Sequence, residues 1–264
     1  MLPHRTIYQQ AALYDLAFSY RDYSVESQWL RDAYALRRGR APRSFLELAA
    51  GPAGHALEML AAGLDVTALD LSPEMAAYGR NKAAARGLGL RYTVADMVEF
   101  QVPQRFDMVA CMTCSASYLL TDAAVLSNFA SVRTALADGG LYVLELTHPS
   151  ELTGTKKSQT KWKMRDDAGE VEVDWNGDPG AAIDGIWSDE VSLEYRPFDG
   201  GPQISVKEQA RQRGFTHDQI IAFAKQSGLV VEAALGGFDE ALALESSKAT
   251  RMILMLSASK AALP

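Results

Sequence analysis

Through the middle of the chain, short apolar runs alternate with longer stretches of helical periodicity. Residues 44–49 read as a buried strand that stops at Gly51, and His55 to Ala62 as a helix ended by Gly63. Residues 65–70 make a second strand. Ser72, Pro73 and Glu74 then open a helix, with an N-cap side chain, a first-turn proline and an acid near the positive end of the dipole. That helix should run to about Arg86 and stop at Gly87. Strands follow over 90–95 and 106–112, then a helix over 122–137 closed by Asp138, Gly139 and Gly140, then a fifth strand over 141–146. Strand–helix alternation with right-handed crossovers gives a parallel sheet with helices on both faces. The predicted core is α/β.

After Pro149 the period changes. Val171, Val173 and Trp175 fall at every second position between Lys161 and Trp175, as do Val191, Leu193 and Tyr195. Asp199, Gly200, Gly201 and Pro202 form a turn cluster before Ile204, so the last two runs read as a hairpin. The α/β pattern resumes with Thr216 as N-cap, a helix over 218–226 and closing strands over 229–234 and 251–256. Ahead of the core, 10–18 and 25–36 read as helices separated by Arg21, Asp22 and Tyr23. The organisation expected is a helical cap (1–40), a doubly wound, mostly parallel seven-stranded core (41–149 and 214–264) and an antiparallel β insert (150–213).

Composition narrows the classes of function. With 48% hydrophobic and 22% charged residues the chain is globular. Lys and Arg total 26 against 33 Asp and Glu, a net charge of −7, which argues against a broad grip on nucleic acid or an anionic membrane. No apolar run approaches the roughly 18 residues of a membrane span, and Met1 to Arg5 do not read as a secretory signal. The two cysteines, Cys111 and Cys114, cannot make a disulfide framework, and with only four His a zinc site is not expected. The expectation is a soluble, cytoplasmic protein without a metal.

In an open parallel sheet the ligand sits at the carboxyl ends of the strands. The first strand–helix turn there runs from Glu47 to His55, and Ala49, Ala50, Gly51, Ala53 and Gly54 keep its backbone open to a ligand. Asp70 lies 19 residues beyond Gly51, about the spacing of a ribose-binding acid. A diphosphate would need free backbone N–H groups, and Pro52 removes one. Glu47 would repel that diphosphate and attract an ammonium. S-adenosylmethionine, an adenosine bearing an amino group and a sulfonium, suits such a loop better than a nicotinamide dinucleotide.

Five stretches in order resemble the motifs of the class I S-adenosylmethionine-dependent methyltransferases: Leu46 to Ala56, Val66 to Met75, Val94 to Met97, Phe106 to Val109 and Leu136 to Tyr142. The departure is in the first, where Ala49 and Ala53 replace glycines of the common pattern. The resemblance implies a Rossmann-like fold and S-adenosylmethionine as cofactor. It implies cofactor contacts at Glu47, Ala49 and Gly51, then at Asp70, Leu71 and Met75, then at Asp96 and Met97, with Asp96 on the adenine amino group. Met112 at the fourth strand end and the leading tyrosines Tyr14 and Tyr23, as a lid, complete the set. The N-terminal segment and the insert look like those of bacterial small-molecule methyltransferases, including amino-sugar N,N-dimethyltransferases. There the insert shapes an acceptor pocket or a homodimer contact.

The expected activity is in-line methyl transfer to a nitrogen or oxygen of a small molecule, with no nucleic acid or membrane partner. A cofactor-binding protein without catalysis and a nicotinamide oxidoreductase are the rival readings. His148, directly after the fifth strand, and Tyr118, just past the fourth, are the candidate catalytic groups. Either could instead line the pocket, and His148 could be a turn histidine. His55 is expected to be structural or next to the cofactor. Trp162, Trp175, Trp187 and Tyr195 are candidate acceptor walls, and Arg213 a candidate polar contact or part of a solvated face.

Overall fold

The computed structural model describes residues 6–152, 158–179 and 182–259. Seven strands form the main sheet: β1 (Ser44–Leu48), β2 (Asp65–Asp70), β3 (Arg91–Val94), β4 (Phe106–Cys111), β5 (Leu136–Thr147), β10 (Leu229–Leu235) and β11 (Arg251–Ala258). Their spatial order is β10-β11-β5-β4-β1-β2-β3. The five strands from β3 to β5 pair in parallel, while β11 runs antiparallel to both β5 and β10. The chain winds outward from β1 to β3, then returns to place β4 on the other side of β1. That reversal opens a crevice at the carboxyl ends of β1 and β4.

Helices α3 (Gly54–Ala61), α4 (Pro73–Ala85), α5 (Asp122–Ala135) and α6 (His217–Gln226) cover the sheet. Ser72 caps α4 by accepting from Met75 N at 3.1 Å, with Pro73 in the first turn. Leu48, Leu69, Val109, Leu144 and Leu254 are wholly buried beneath α5 and α6. One boundary moves: α5 ends at Ala135, and β5 already starts at Leu136, which pairs with Phe106. Asp138, Gly139 and Gly140, expected as the helix stop, lie within that irregular first part of the strand.

The second sheet is an antiparallel meander of β6 (Ser158–Arg165), β7 (Gly169–Gly177), β8 (Ile186–Pro197) and β9 (Ile204–Arg213). What reads as a single run between Lys161 and Trp175 is two strands. Asp166 turns the chain between them, its Oδ1 accepting from Ala168 N and Gly169 N, both at 2.9 Å. The inner face of this sheet buries Val171, Val173, Val191, Leu193 and Val206 against Ile7, Ala17 and Phe18. Those three come from the N-terminal turn and α1 (Ala11–Ala17); α2 (Tyr23–Arg38) then packs on α3. The N-terminal segment is thereby clamped between the insert and the core. Among the described residues no helix is long and apolar enough to cross a membrane.

Candidate active site

The turn from β1 to α3 holds Ala49, Gly51 and Ala53 in the left-handed region, at φ of 50°, 51° and 64°. Only glycine takes that conformation without strain, so the loop must be held by its neighbours. Ala50 N donates to Leu69 O at 2.9 Å, Gly51 N to Asp70 Oδ2 at 2.8 Å, and the Tyr92 hydroxyl to Gly51 O at 2.6 Å. Asp70, at the end of β2, also accepts from Ser72 N on Oδ1 at 2.8 Å. Burial pushes its carboxyl above the usual carboxylate range, against the pull of those N–H groups. The Leu71 backbone bonds the same carboxyl, and its two oxygens, with about four lone-pair directions, still have room for a ligand hydroxyl.

A cavity of about 780 Å³ opens over this loop. Leu71, 69% exposed, gives it an apolar shelf, with Met97 and Val98 also on its wall. Asp96 lies beside them, its Oδ1 accepting from Val98 N at 2.8 Å. Two carboxylates separated by apolar side chains suit a nucleoside, whose hydroxyls and amino group are donors and whose base is flat and apolar. The hydrogen-bond acceptor groups of the site therefore fit S-adenosylmethionine.

Below the cavity runs a chain of buried charges that periodicity could not have shown. His55 Nδ1 donates to Glu47 Oε1 at 2.9 Å and Nε2 to Glu26 Oε2 at 2.7 Å. Burial pushes the imidazole down, but the two carboxylates outweigh it and lift it to about 9. Glu26 accepts in turn from Arg21 Nη2 at 2.7 Å, and Arg21 donates to Glu145 Oε2 at 3.1 Å. Glu145, on β5, also accepts from Thr113 N at 2.6 Å, bracing a β4 end where Thr113 and Cys114 hold φ of 57° and 56°. Arg21 and Glu145 both face the cavity. The charge network ties the N-terminal segment to the cofactor loop and to the ends of β4 and β5.

The far end of the cavity is aromatic. Tyr14 stacks on Phe18 at 4.5 Å between ring centres, and Phe18 meets Trp162 and Trp175 edge-on. The Tyr8 and Tyr118 hydroxyls share a hydrogen bond of 2.5 Å. Burial raises the Tyr118 phenol, so it stands there as a neutral hydroxyl. Trp187, Asp189 and Gln212 of the insert complete this end.

Of the residues singled out in the sequence, Tyr14, Ala49, Gly51 and Asp70 line the cavity, as do Leu71, Asp96, Met97 and Tyr118. Others do not. Glu47 is committed to His55 and to Ala56 N, at 2.8 Å, so it is not free for a ligand ammonium. Met75 and Met112 are buried in the core, and Tyr23 packs edge-on against His55 rather than forming a lid. His148 is the turn histidine: Nδ1 meets Ser150 Oγ at 2.7 Å, and Nε2 donates to Leu244 O at 2.9 Å. Arg213 is pinned at 2.6 Å to Asp122 and stacked over Phe215 and Phe223. Tyr195 lies over Gly169, away from the cavity. Burial pushes both cysteine thiols up to about 12, which leaves no thiolate nucleophile. Among the described residues no group of three or more His, Cys, Asp or Glu is arranged to hold a metal.

Residues 45–140 match the family described as a methyltransferase domain. The demethylmenaquinone methyltransferase of Thermus thermophilus is 33% identical over 150 residues, 53% of this chain and 63% of that protein. The matched stretch is thus under two thirds of that relative's length. A crystal structure of a S-adenosylmethionine-dependent methyltransferase from Clostridium acetobutylicum has the same fold, with a TM-score of 0.80 at 20% identity over 94% of this chain and 97% of that one. A SAM-bound amino pentose methyltransferase from Micromonospora echinaspora aligns with a TM-score of 0.70 at 20% identity, over 98% and 99% of the two chains.

Proposed function

We propose that the chain is a class I S-adenosylmethionine-dependent methyltransferase, as its methyltransferase-domain match and fold support, and that it transfers a methyl group to a nitrogen or oxygen of a small molecule held beneath the β insert. The observation that carries this is the single cavity that joins the Asp70–Asp96 end to the aromatic walls of the insert. A cofactor site alone needs no such extension.

Bound S-adenosylmethionine would supply an electrophilic methyl, attacked in line by the acceptor's lone pair as the C–S bond breaks and S-adenosylhomocysteine leaves. Asp70 would hold the ribose hydroxyls and Asp96 the adenine amino group, while Leu71 and Met97 flank the base. Arg21 faces the cavity but gives its guanidinium to Glu26 and Glu145, and so braces this wall and the ends of β4 and β5. Tyr14, Phe18 and the insert exclude water and fix the approach direction, which is most of what such a displacement needs. Tyr118 would orient the acceptor through its hydroxyl. His148 has no part in the reaction. The 150–213 insert serves as the acceptor domain, the 1–40 segment as its floor.

The test is calorimetry with S-adenosylhomocysteine, followed by labelled S-adenosylmethionine with fractionated small-molecule extract, reading methylated products by mass. Tight NAD binding with no heat from S-adenosylhomocysteine would overturn the reading.

A further inference from the structure

Strand β8 presents Trp187, Asp189, Val191 and Leu193 on its buried face, alternating with the more open Ser188, Glu190 and Ser192. Asp189 is the exception in an otherwise apolar row. It is only 3% exposed, yet it stands on the cavity wall. Its partners are neutral: Trp187 Nε1 donates to Oδ1 at 2.8 Å, and the Trp175 side chain bonds the same carboxyl. No Lys or Arg among the described residues pairs with it. A carboxylate desolvated without a cation is strongly disfavoured, and burial indeed pushes this carboxyl up.

The neighbouring strands make room for it. In register, Asp189 lies between Gly177 of β7 and Ala210 of β9. A Cβ at Gly177 would overlap Asp189 Oδ1, so only glycine lets the carboxyl sit where it does. Trp162, Trp175 and Trp187 stand around this end of the cavity. Indole faces attract cations, and a desolvated carboxylate completes the usual requirements of a site for positive charge. The wall as a whole has the same sign: Asp70, Glu74, Asp96, Glu145, Glu151 and Asp189 stand against two guanidiniums, of which Arg21 is already committed to Glu26 and Glu145.

We infer that Asp189, framed by the insert's tryptophans, is a specificity-determining residue that binds a cationic nitrogen of the acceptor. The inference rests on the assignment of this end of the cavity to the acceptor. It narrows that acceptor to a molecule carrying a basic amine, which has a lone pair for methylation only once it has lost its proton, and gives a neutral alcohol or a carboxylate no counterpart here.

Tetramethylammonium carries the charge and nothing else, and tert-butanol has similar bulk without it. Indole fluorescence of the full chain, titrated with each at constant ionic strength, reads the site directly. Tetramethylammonium should give a saturable change in the millimolar range, with no saturable response to tert-butanol. Asp189→Asn should weaken tetramethylammonium binding at least tenfold while S-adenosylhomocysteine affinity stays within a few-fold. Should Asp189→Asn fail to fold, Gly177→Ala, which displaces the carboxyl, should weaken binding similarly. No saturable response to the cation, equal binding of tert-butanol, or unchanged affinity in the folded variants would each overturn the proposal. If wild-type chain binds tetramethylammonium but not S-adenosylhomocysteine, the cofactor reading fails while the cation site stands.

Discussion

The two ends of the cavity are built by different means. At the cofactor end the side-chain contacts are shorter in sequence: Asp70 reaches Ser72, Asp96 reaches Val98, Gly51 reaches Asp70 across 19 residues and Tyr92 reaches Gly51 across 41. At the acceptor end they are long. Tyr8 meets Tyr118 across 110 residues, Trp162 bonds Ala17 O across 145, and Ile7 N bonds Glu208 across 201. The first end is fixed by strand-to-helix turns that fold locally. The second exists only when the N-terminal segment, the core and the insert have all closed on each other. Cofactor binding should therefore survive damage to the acceptor end.

The largest effect expected from that division is on methyl transfer. Trp175→Ala removes a wall of the acceptor end without touching the loop at Gly51. Loss of orientation of this kind lowers single-turnover rates about a hundredfold, and S-adenosylhomocysteine affinity by calorimetry should change only a few-fold. His148→Ala, by contrast, should leave transfer within a few-fold. A Trp175→Ala protein that loses cofactor affinity and transfer in parallel would mean that the two ends are one unit.

The charge network under both ends gives the next effect. His55 rises from an ordinary value near 6.5 to about 9 on folding. Its stabilisation is thus fully present below pH 6.5 and lost as pH climbs through about 9. A shift of that size corresponds to about 3 kcal/mol. Thermal unfolding should show Tm falling across that window, and His55→Gln, less stable at neutral pH, should flatten the fall. A wild-type Tm independent of pH over 6.5–9.5 would show that His55 is neutral in the folded chain.

Asp70→Ala comes third. It removes charge-assisted hydrogen bonds worth roughly 1.5–3 kcal/mol, so S-adenosylhomocysteine should bind about tenfold to a hundredfold more weakly. Tetramethylammonium binding at the other end should not move. Coupled losses would argue against independent ends.

The same contrast explains what could be read in the chain beforehand. The core strands, the Ser72 cap and the Asp70 and Asp96 positions follow from period, turn chemistry and spacing, all local. Glu47 illustrates the limit: its place in the first turn is legible, but its partner His55 turns it away from the ligand, and Glu26 on a distant helix fixes that pairing. His148 is a related case, since its strand-end position is legible but its bond to Leu244 O, 96 residues on, is not. The pairing of Arg21 with Glu145 was beyond reach because nothing in either segment names the other. Asp189 had a signal, an acid on the apolar phase of a strand, which goes unnoticed when periodicity is used only to find the strand.

The smallest effect tests the cofactor loop alone. Ala49 and Ala53 both hold left-handed φ, which for a residue with a Cβ is disfavoured by roughly 1–2 kcal/mol. Glycine would relieve that but loses about 0.5–1 kcal/mol more chain entropy on folding. At Ala49, half-buried on the cavity wall, the balance is a gain of about 0.5–1 kcal/mol, or roughly 2 °C in Tm for a chain of this size. At Ala53, wholly buried, the lost methyl gives up about 0.8 kcal/mol of burial, which cancels the relief. Ala49→Gly should therefore raise Tm slightly, Ala53→Gly should leave it near wild type, and neither should disturb the insert's response to tetramethylammonium. A drop in Tm for Ala49→Gly would mean that the surrounding hydrogen bonds with Leu69, Asp70 and Tyr92 impose no strain on the loop, and that the alanine methyl is itself a useful part of the cofactor wall.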